Sequence, residues 1–161
     1  MRKVVIFGNS GSGKSTLAKA LCQDEELSHL DLDTVAWLPS DPPQRKPISD
    51  AKLEVDDFIN ASDTWVVEGC YSDLLALVLT QASEIIFMNL SVEDCIANAK
   101  KRPWEPHKYV SKAEQDANLE MLIDWISQYP TREDVFSRSS HEALFNSYHG
   151  KKTMYTSNKN M

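Results

Sequence analysis

Residues 8–15 read Gly8-Asn9-Ser10-Gly11-Ser12-Gly13-Lys14-Ser15 and satisfy every fixed position of the pattern G-x-x-x-x-G-K-[ST]. No other stretch of the chain restricts the fold so tightly. A loop of this kind turns consecutive backbone N–H groups inward around an anion, and glycine supplies torsions that a Cβ forbids. Before it, Lys3-Val4-Val5-Ile6-Phe7 is a short β-branched and aromatic run that predicts a buried strand. After it, Thr16 to Cys22 holds helix formers, with apolar residues at Leu17, Ala18 and Leu21. The chain has five glycines, and three of them (Gly8, Gly11, Gly13) fall inside this loop. A strand–loop–helix unit is therefore a better reading than an incidental turn.

The chemistry follows from the residue types. Backbone from Gly8 through Gly13, with Lys14, Ser15 and Thr16, is expected to hold the β- and γ-phosphates of a nucleotide. Lys14 brings a point charge to those phosphates, and the Ser15 hydroxyl suits Mg²⁺. The helix that follows adds its positive N-terminal end.

At 161 residues the chain is read as one domain, 1–161, with a hydrophobic content of 42% and a charged content of 25% that fit a globular protein. No apolar run approaches the ~20 residues of a membrane span. The apolar run after Arg2 and Lys3 stops at Phe7, so an export signal is not expected. Cys22, Cys70 and Cys95 form no C-x-x-C pair, which fits reduced thiols in a cytoplasmic protein. The net charge of −7 argues against a grip on duplex DNA through its phosphates. The expected partner is a small-molecule acceptor rather than a membrane or a nucleic acid, and the expected state is a monomer or homodimer.

Along the chain, strand and helix patterns alternate. Ser28 to Leu32 reads as a second strand ending in Asp31-Leu32-Asp33. Residues 38–49 hold Pro39, Pro42, Pro43 and Pro47, which predicts irregular structure. Helices are expected from Ser49 to about Asn60 and from about Asp73 to Gln81. The third and fourth strands are Thr64–Val67 and Glu84–Met88. Ser91, with Asp94 three residues on, predicts a capped helix to about Lys101. A long helix is expected over about 111–128, stopped by Pro130. Thr131 then opens a last helix to about Tyr148, and Lys152 to Thr156 gives a fifth strand. Such alternation predicts a three-layer α/β/α fold with a parallel sheet.

Ligands in such folds bind beyond the carboxyl ends of the strands. Asp31 and Asp33 end the second strand, where carboxylates would bind magnesium-linked water or accept a substrate hydroxyl; the alternative is one turn cap and one solvated acid. Glu68 follows the third strand, where a magnesium-linked acid would stand; the alternative is an ordinary strand-to-loop turn. Gly69 would admit a ligand to the backbone, and Tyr71 would face the same cleft. Between Lys100 and Lys112 there are five cations and one acid, Glu105. This excess suits a flap closing over phosphates, with Arg102 the phosphate contact; the alternative is complementation of the helix C-terminus. Arg45 is a candidate for the second substrate. Trp104 and His107 share the flap, and His107 is read as solvated or structural.

The loop at 8–15, the Leu30-Asp31-Leu32-Asp33 strand end, the Glu68-Gly69 turn and the basic segment near Arg102 together resemble the small P-loop kinases, the group of adenylate and shikimate kinases. Trp37-Leu38-Pro39 and Arg102-Pro103-Trp104-Glu105-Pro106-His107-Lys108-Tyr109 are similar to words of the short bacterial "topology modulation" adenylate-kinase-like P-loop proteins. The resemblance implies a five-stranded parallel sheet of order 2-3-1-4-5, an acceptor-binding segment over about 34–63 and a lid over about 100–115. It implies ATP and Mg²⁺ as cofactors, with Lys14, Asp33 and Arg102 as catalytic residues. Asp31, Asp33, Arg45, Gly69 and Tyr71 would line the acceptor site, and Ser15 and Glu68 would hold the metal. Cys70-Tyr71-Ser72 departs from both named kinases, so neither acceptor is assigned. Transfer of the ATP γ-phosphate to a nucleotide or a shikimate-like hydroxyl compound is the expected activity. An ATPase or nucleotide-dependent regulator is the alternative. A GTPase is disfavoured, because no D-x-x-G follows the loop and Asn158-Lys159-Asn160 lacks a guanine-reading aspartate.

Overall fold

A computed structural model describes residues 1–159. Asn160, the last residue of the stretch weighed for guanine reading, lies outside them. The chain opens with β1 (Lys3–Gly8), the phosphate-loop residues and α1 (Lys14–Glu25). Next come β2 (Ser28–Asp31), a 3₁₀ turn over Leu32–Thr34, β3 (Trp37–Leu38), β4 (Gln44–Arg45) and α2 (Ile48–Ala61). The second half holds β5 (Trp65–Gly69), α3 (Ser72–Leu79), β6 (Glu84–Met88), α4 (Val92–Lys101), α5 (Lys112–Ala117), α6 (Leu119–Ser127), α7 (Arg138–Ser147) and β7 (Lys151–Tyr155).

β1, β5 and β6 are apolar at nearly every position because both faces of the central sheet are covered. Successive side chains of a strand point to opposite faces, so one strand feeds two cores. Val5 and Phe7 of β1 pack with Val55 of α2, Leu74 and Leu75 of α3 and Phe145 of α7. Val4 and Ile6 pack with Ala18 of α1, Cys95 of α4 and Ile126 of α6. The result is the three-layer α/β/α fold with a five-stranded parallel sheet. Glu84 is the exception inside β6, and it is buried against Arg2, whose Nε donates to Oε1 at 2.7 Å.

The sheet order is β2-β5-β1-β6-β7. The labels differ from the expected 2-3-1-4-5 only because two further strands, β3 and β4, fall between β2 and β5 in the chain and pair with each other, antiparallel, outside this sheet. Residues 38–49 are thus not wholly irregular, as their prolines suggested. Gln44 and Arg45 precede Pro47 and keep their backbone free to pair with Leu38 and Trp37. The long helix over 111–128 breaks into α5 and α6 at Asn118, whose near-zero ψ (φ −84°, ψ −7°) departs from helical values. The last helix is capped by Ser137, which accepts from the Ser140 N–H, and not by Thr131. The Ser91 cap forms as expected, accepting from the Asp94 N–H.

All three cysteines are free. Burial pushes the Cys70 thiol up to about 12, so it is chemically quiet. His141 is fully buried in the core, with Nδ1 2.6 Å from the Tyr129 hydroxyl and Nε2 2.8 Å from the Cys70 carbonyl. Burial drives it down to about 4, so it stays neutral near pH 7. Among the described residues no helix is long and apolar enough to cross a membrane.

Candidate functional site

The carboxyl ends of β1, β2 and β5 open on a cleft of about 640 Å³. Its wall includes Ser10, Gly11, Gly13, Lys14, Ser15 and Thr16 from the loop, and Asp31, Asp33, Glu68 and Gly69 from the strand ends. Arg102, Glu105 and Lys108 close it from the segment after α4. Six loop residues therefore face one space with the strand-end acids.

All three glycines of the loop are sterically required. Gly11 has φ 79°, and a Cβ there would lie 2.5 Å from the Cys95 carbonyl oxygen. Gly13, which caps α1, has φ 92°, and its Cβ would lie 2.9 Å from Asn158 Nδ2. Gly8 has φ 153°, and a Cβ there would collide with the Met88 carbonyl oxygen of β6. Asn9 is buried, donating from Nδ2 to the Ile126 carbonyl at 3.2 Å, and so anchors the loop rather than lining the cleft.

The loop is also held from behind. Asn98 of α4 donates to the Gly11 carbonyl at 2.8 Å, and Asn158, beyond β7, donates to the Ser12 carbonyl at 3.1 Å. Asn98 donates as well to Asn158 Oδ1 at 2.8 Å. With these carbonyls turned outward, N–H groups of the loop can face an anion, apart from that of Ser12, which donates to the Asn9 carbonyl at 3.2 Å. The first N–H groups of α1 have no intrahelical acceptor, which adds to the same site. Lys14 Nζ donates to the Asn9 carbonyl at 2.7 Å, within the loop it is expected to serve. Asn98 and Asn158 were missed by sequence reasoning, since nothing local marks two asparagines 60 residues apart.

Ser15 Oγ donates to Glu68 Oε1 at 2.9 Å, so the two residues expected to share a metal meet. Glu68 is 1% exposed, and His29 Nε2 lies 3.6 Å from the same oxygen. Among the described residues no three His, Cys, Asp or Glu side chains form a metal cage. Magnesium does not need one, because it is usually held by one or two protein oxygens together with phosphate and water. A hydroxyl and a buried carboxylate beside a phosphate loop fit that requirement.

Beyond the loop the cleft is acidic. Asp33 N donates to Asp31 Oδ1 at 2.9 Å and fixes the two carboxylates side by side. Burial pushes the Asp31 carboxyl up to about 6, reinforced by the charges of Glu68 and Asp33. Burial pushes Asp33 the same way, but the Lys108 ammonium and the Tyr71 hydroxyl hold it below the ordinary carboxylate range. Lys108 Nζ stands 2.9 Å from Asp33 Oδ2 and 3.7 Å from Asp31 Oδ2. The Tyr71 hydroxyl donates to Asp33 Oδ1 and accepts from Trp37 Nε1 at 2.9 Å. Tyr71 and Lys108 thus converge on one carboxylate from two distant segments, with Trp37 holding the Tyr71 hydroxyl. Lys108 was visible in the sequence only as one of five cations, and its spacing gave no sign that it would be the one to reach Asp33.

Other expected residues take different places. Arg45 does not line the cleft; its Nη2 binds Asp73 at 3.1 Å and its guanidinium lies 5.0 Å from the Tyr71 ring centre. Tyr71 is buried behind Asp33 and not on the cleft wall. Gly69 does line the cleft, but a Cβ there would lie 2.9 Å from Leu32 Cβ, so packing as well as ligand access demands glycine. Arg102 lines the cleft with Nη1 3.3 Å from Glu105 Oε1. His107 lies 3.8 Å from Glu105 with half its side chain exposed, in keeping with a solvated role.

No family model matches the sequence, and no curated protein matches it. Solved structures do. An unliganded sugar kinase from Janibacter sp. HTCC2649 superposes with a TM-score of 0.54 at 12% identity, covering 97% of this chain and 85% of that one. A shikimate kinase from Bacteroides thetaiotaomicron gives 0.52 at 12% identity, covering 97% and 86%. A deoxyadenosine kinase from M. mycoides with bound dATP gives 0.49 at 11% identity, covering 96% and 90%. The chain has the fold of small P-loop kinases.

Proposed function

We propose that this chain is an ATP-dependent phosphotransferase that moves the γ-phosphate to a small-molecule acceptor. The observation that carries the reading is the meeting of Ser15 and Glu68 in a cleft walled on one side by the loop and on the other by Asp31 and Asp33. The narrower kinship with the short bacterial topology modulation proteins is part of the proposal and rests on the words at 37–39 and 102–109.

The loop N–H groups and Lys14 would bind the β- and γ-phosphates, Lys14 moving from the Asn9 carbonyl to the phosphate oxygens. Ser15 and Glu68 would hold Mg²⁺, which supplies charge neutralisation at the phosphates when bound. Asp33, kept ionised by Lys108, would orient the acceptor hydroxyl and take its proton. As that hydroxyl oxygen bonds to the γ-phosphorus, the bond from phosphorus to the ADP oxygen breaks. Arg102 at the cleft rim would contact the phosphate being transferred. Asp31, Gly69 and Tyr71 would shape the acceptor end, with Arg45 acting indirectly through Asp73 and the Tyr71 ring.

Incubation with Mg-ATP and a panel of nucleosides, monophosphates, sugars and hydroxy acids tests the reading. ADP release should depend on one acceptor class. Hydrolysis that stays at its basal rate with every acceptor would replace the kinase reading by that of an ATPase.

A further inference from the structure

We infer that the phosphoryl acceptor is a hydroxyl compound carrying no phosphate or carboxylate group, either neutral or amino-bearing. The inference rests on the phosphotransferase reading and narrows its substrate. A protein that binds an anion presents free guanidinium groups, inward backbone N–H groups or an open helix N-terminus. The acceptor end of this cleft presents none of these.

Arg45 would be the obvious anchor for an acidic acceptor, but it is committed elsewhere. Its Nη2 binds both Asp73 oxygens, at 3.1 and 3.3 Å, and its Nε donates to the Ala36 carbonyl at 3.3 Å. The start of α3, the nearest helix N-terminus, is closed as well. The Ser72 N–H donates to the Val135 carbonyl at 3.0 Å, and Asp73 Oδ1 accepts the Leu74 N–H at 2.9 Å. Arg102, one turn beyond Asn98, is partnered rather than free, its Nη1 standing 3.3 Å from Glu105 Oε1. Lys14 sits within the loop itself.

That leaves Lys108 as the cation at the acceptor end, and it is shared among three carboxylates: Asp33 at 2.9 Å, Asp31 at 3.7 Å and Glu105 at 3.7 Å. An arriving anion would compete with all three and with Glu68 behind them. Two further features point to a hydrogen-bond donor as the guest. The Tyr71 O–H is spent on Asp33 Oδ1 and the Trp37 N–H on the Tyr71 hydroxyl, so neither faces outward as a donor to an acidic group. The cleft of about 640 Å³ has room for a small polyol or nucleoside beside the nucleotide phosphates. Hydroxyl and ammonium groups match a wall made of acceptors.

The test uses the full chain saturated with magnesium and the β,γ-imido analogue of ATP, titrated calorimetrically with adenosine and, separately, with AMP. Wild type should bind AMP more weakly than adenosine, and Asp31→Asn/Asp33→Asn should gain at least about tenfold in AMP affinity as the repulsion is removed. If the double variant does not fold, Asp33→Asn alone reads the same gain. Wild type preferring AMP would overturn the inference, as would variants that gain nothing. Failure of wild type to bind the imido analogue would defeat the phosphotransferase reading and the inference with it, a result visible before either titration begins.

Discussion

The two halves of the cleft are built by different means. The nucleotide half is a loop of eight consecutive residues whose work is done by backbone N–H groups and one lysine. The acceptor half is made of side chains at positions 31, 33, 68, 71 and 108, brought together by the ends of β2 and β5, a buried tyrosine and the segment after α4. Backbone sites are specified locally, because glycine torsions and chain direction suffice to form them. Side-chain sites depend on which of several similar residues the fold delivers. On the proposed reading, the first half holds the nucleotide and the second selects the molecule that would receive the phosphate.

The largest effect should come from Lys14→Ala, which removes the point charge from the nucleotide half. Turnover should fall by on the order of 100-fold or more, as for loss of one preorganised charged donor in a transition state. Steady-state ADP release checks this, with circular dichroism confirming the fold. An equal loss from Lys108→Ala would break the division between the halves.

Gly11→Ala strains the loop itself, since φ is 79° and the added Cβ meets the Cys95 carbonyl at 2.5 Å. A destabilisation of about 1–3 kcal/mol, read as a lowered urea midpoint, is the expected outcome. Asp31→Asn should cost less in stability, because burial disfavours the charged form of that carboxyl.

Lys108→Ala sharpens the acceptor half. Without the ammonium, burial dominates and the Asp33 carboxyl rises from its lowered position. Asp33 must be ionised to take a proton, so the acid limb of the pH–rate profile should move to higher pH. The acceptor KM should rise about tenfold as Asp33 loses the ammonium that orients it, with the ATP KM little changed. An unmoved acid limb would mean that Asp33 is not the base.

Asn158→Ala probes the brace behind the loop. Loss of one hydrogen bond to the Ser12 carbonyl is worth about 1 kcal/mol. ATP affinity should weaken about fivefold in a fluorescent-analogue titration, the acceptor KM should hold, and Asn158→Asp should not rescue it, because a carboxylate cannot donate.

The same contrast decides what was legible in the sequence. The strand–loop–helix unit was, because each residue of 3–22 has a local reason to be where it is. The pairing of Ser15 with Glu68 was also foreseeable, since parallel strands β1 and β5 carry their ends to the same edge. The β3–β4 hairpin was hidden by prolines that flank it rather than interrupt its pairing. Arg45 was a reasonable acceptor ligand until Asp73, 28 residues away, claimed its guanidinium. Lys108 could not be picked from its four neighbouring cations, because only packing decides which ammonium reaches Asp33.

The central claim is that this loop binds nucleotide phosphates as the donor side of a transfer site. Titration of a fluorescent ATP analogue with magnesium into wild type and Lys14→Ala tests it most directly. The account predicts saturable one-to-one binding by wild type that is largely lost in the variant. Equal affinity in the two proteins, or no binding by either, would contradict it.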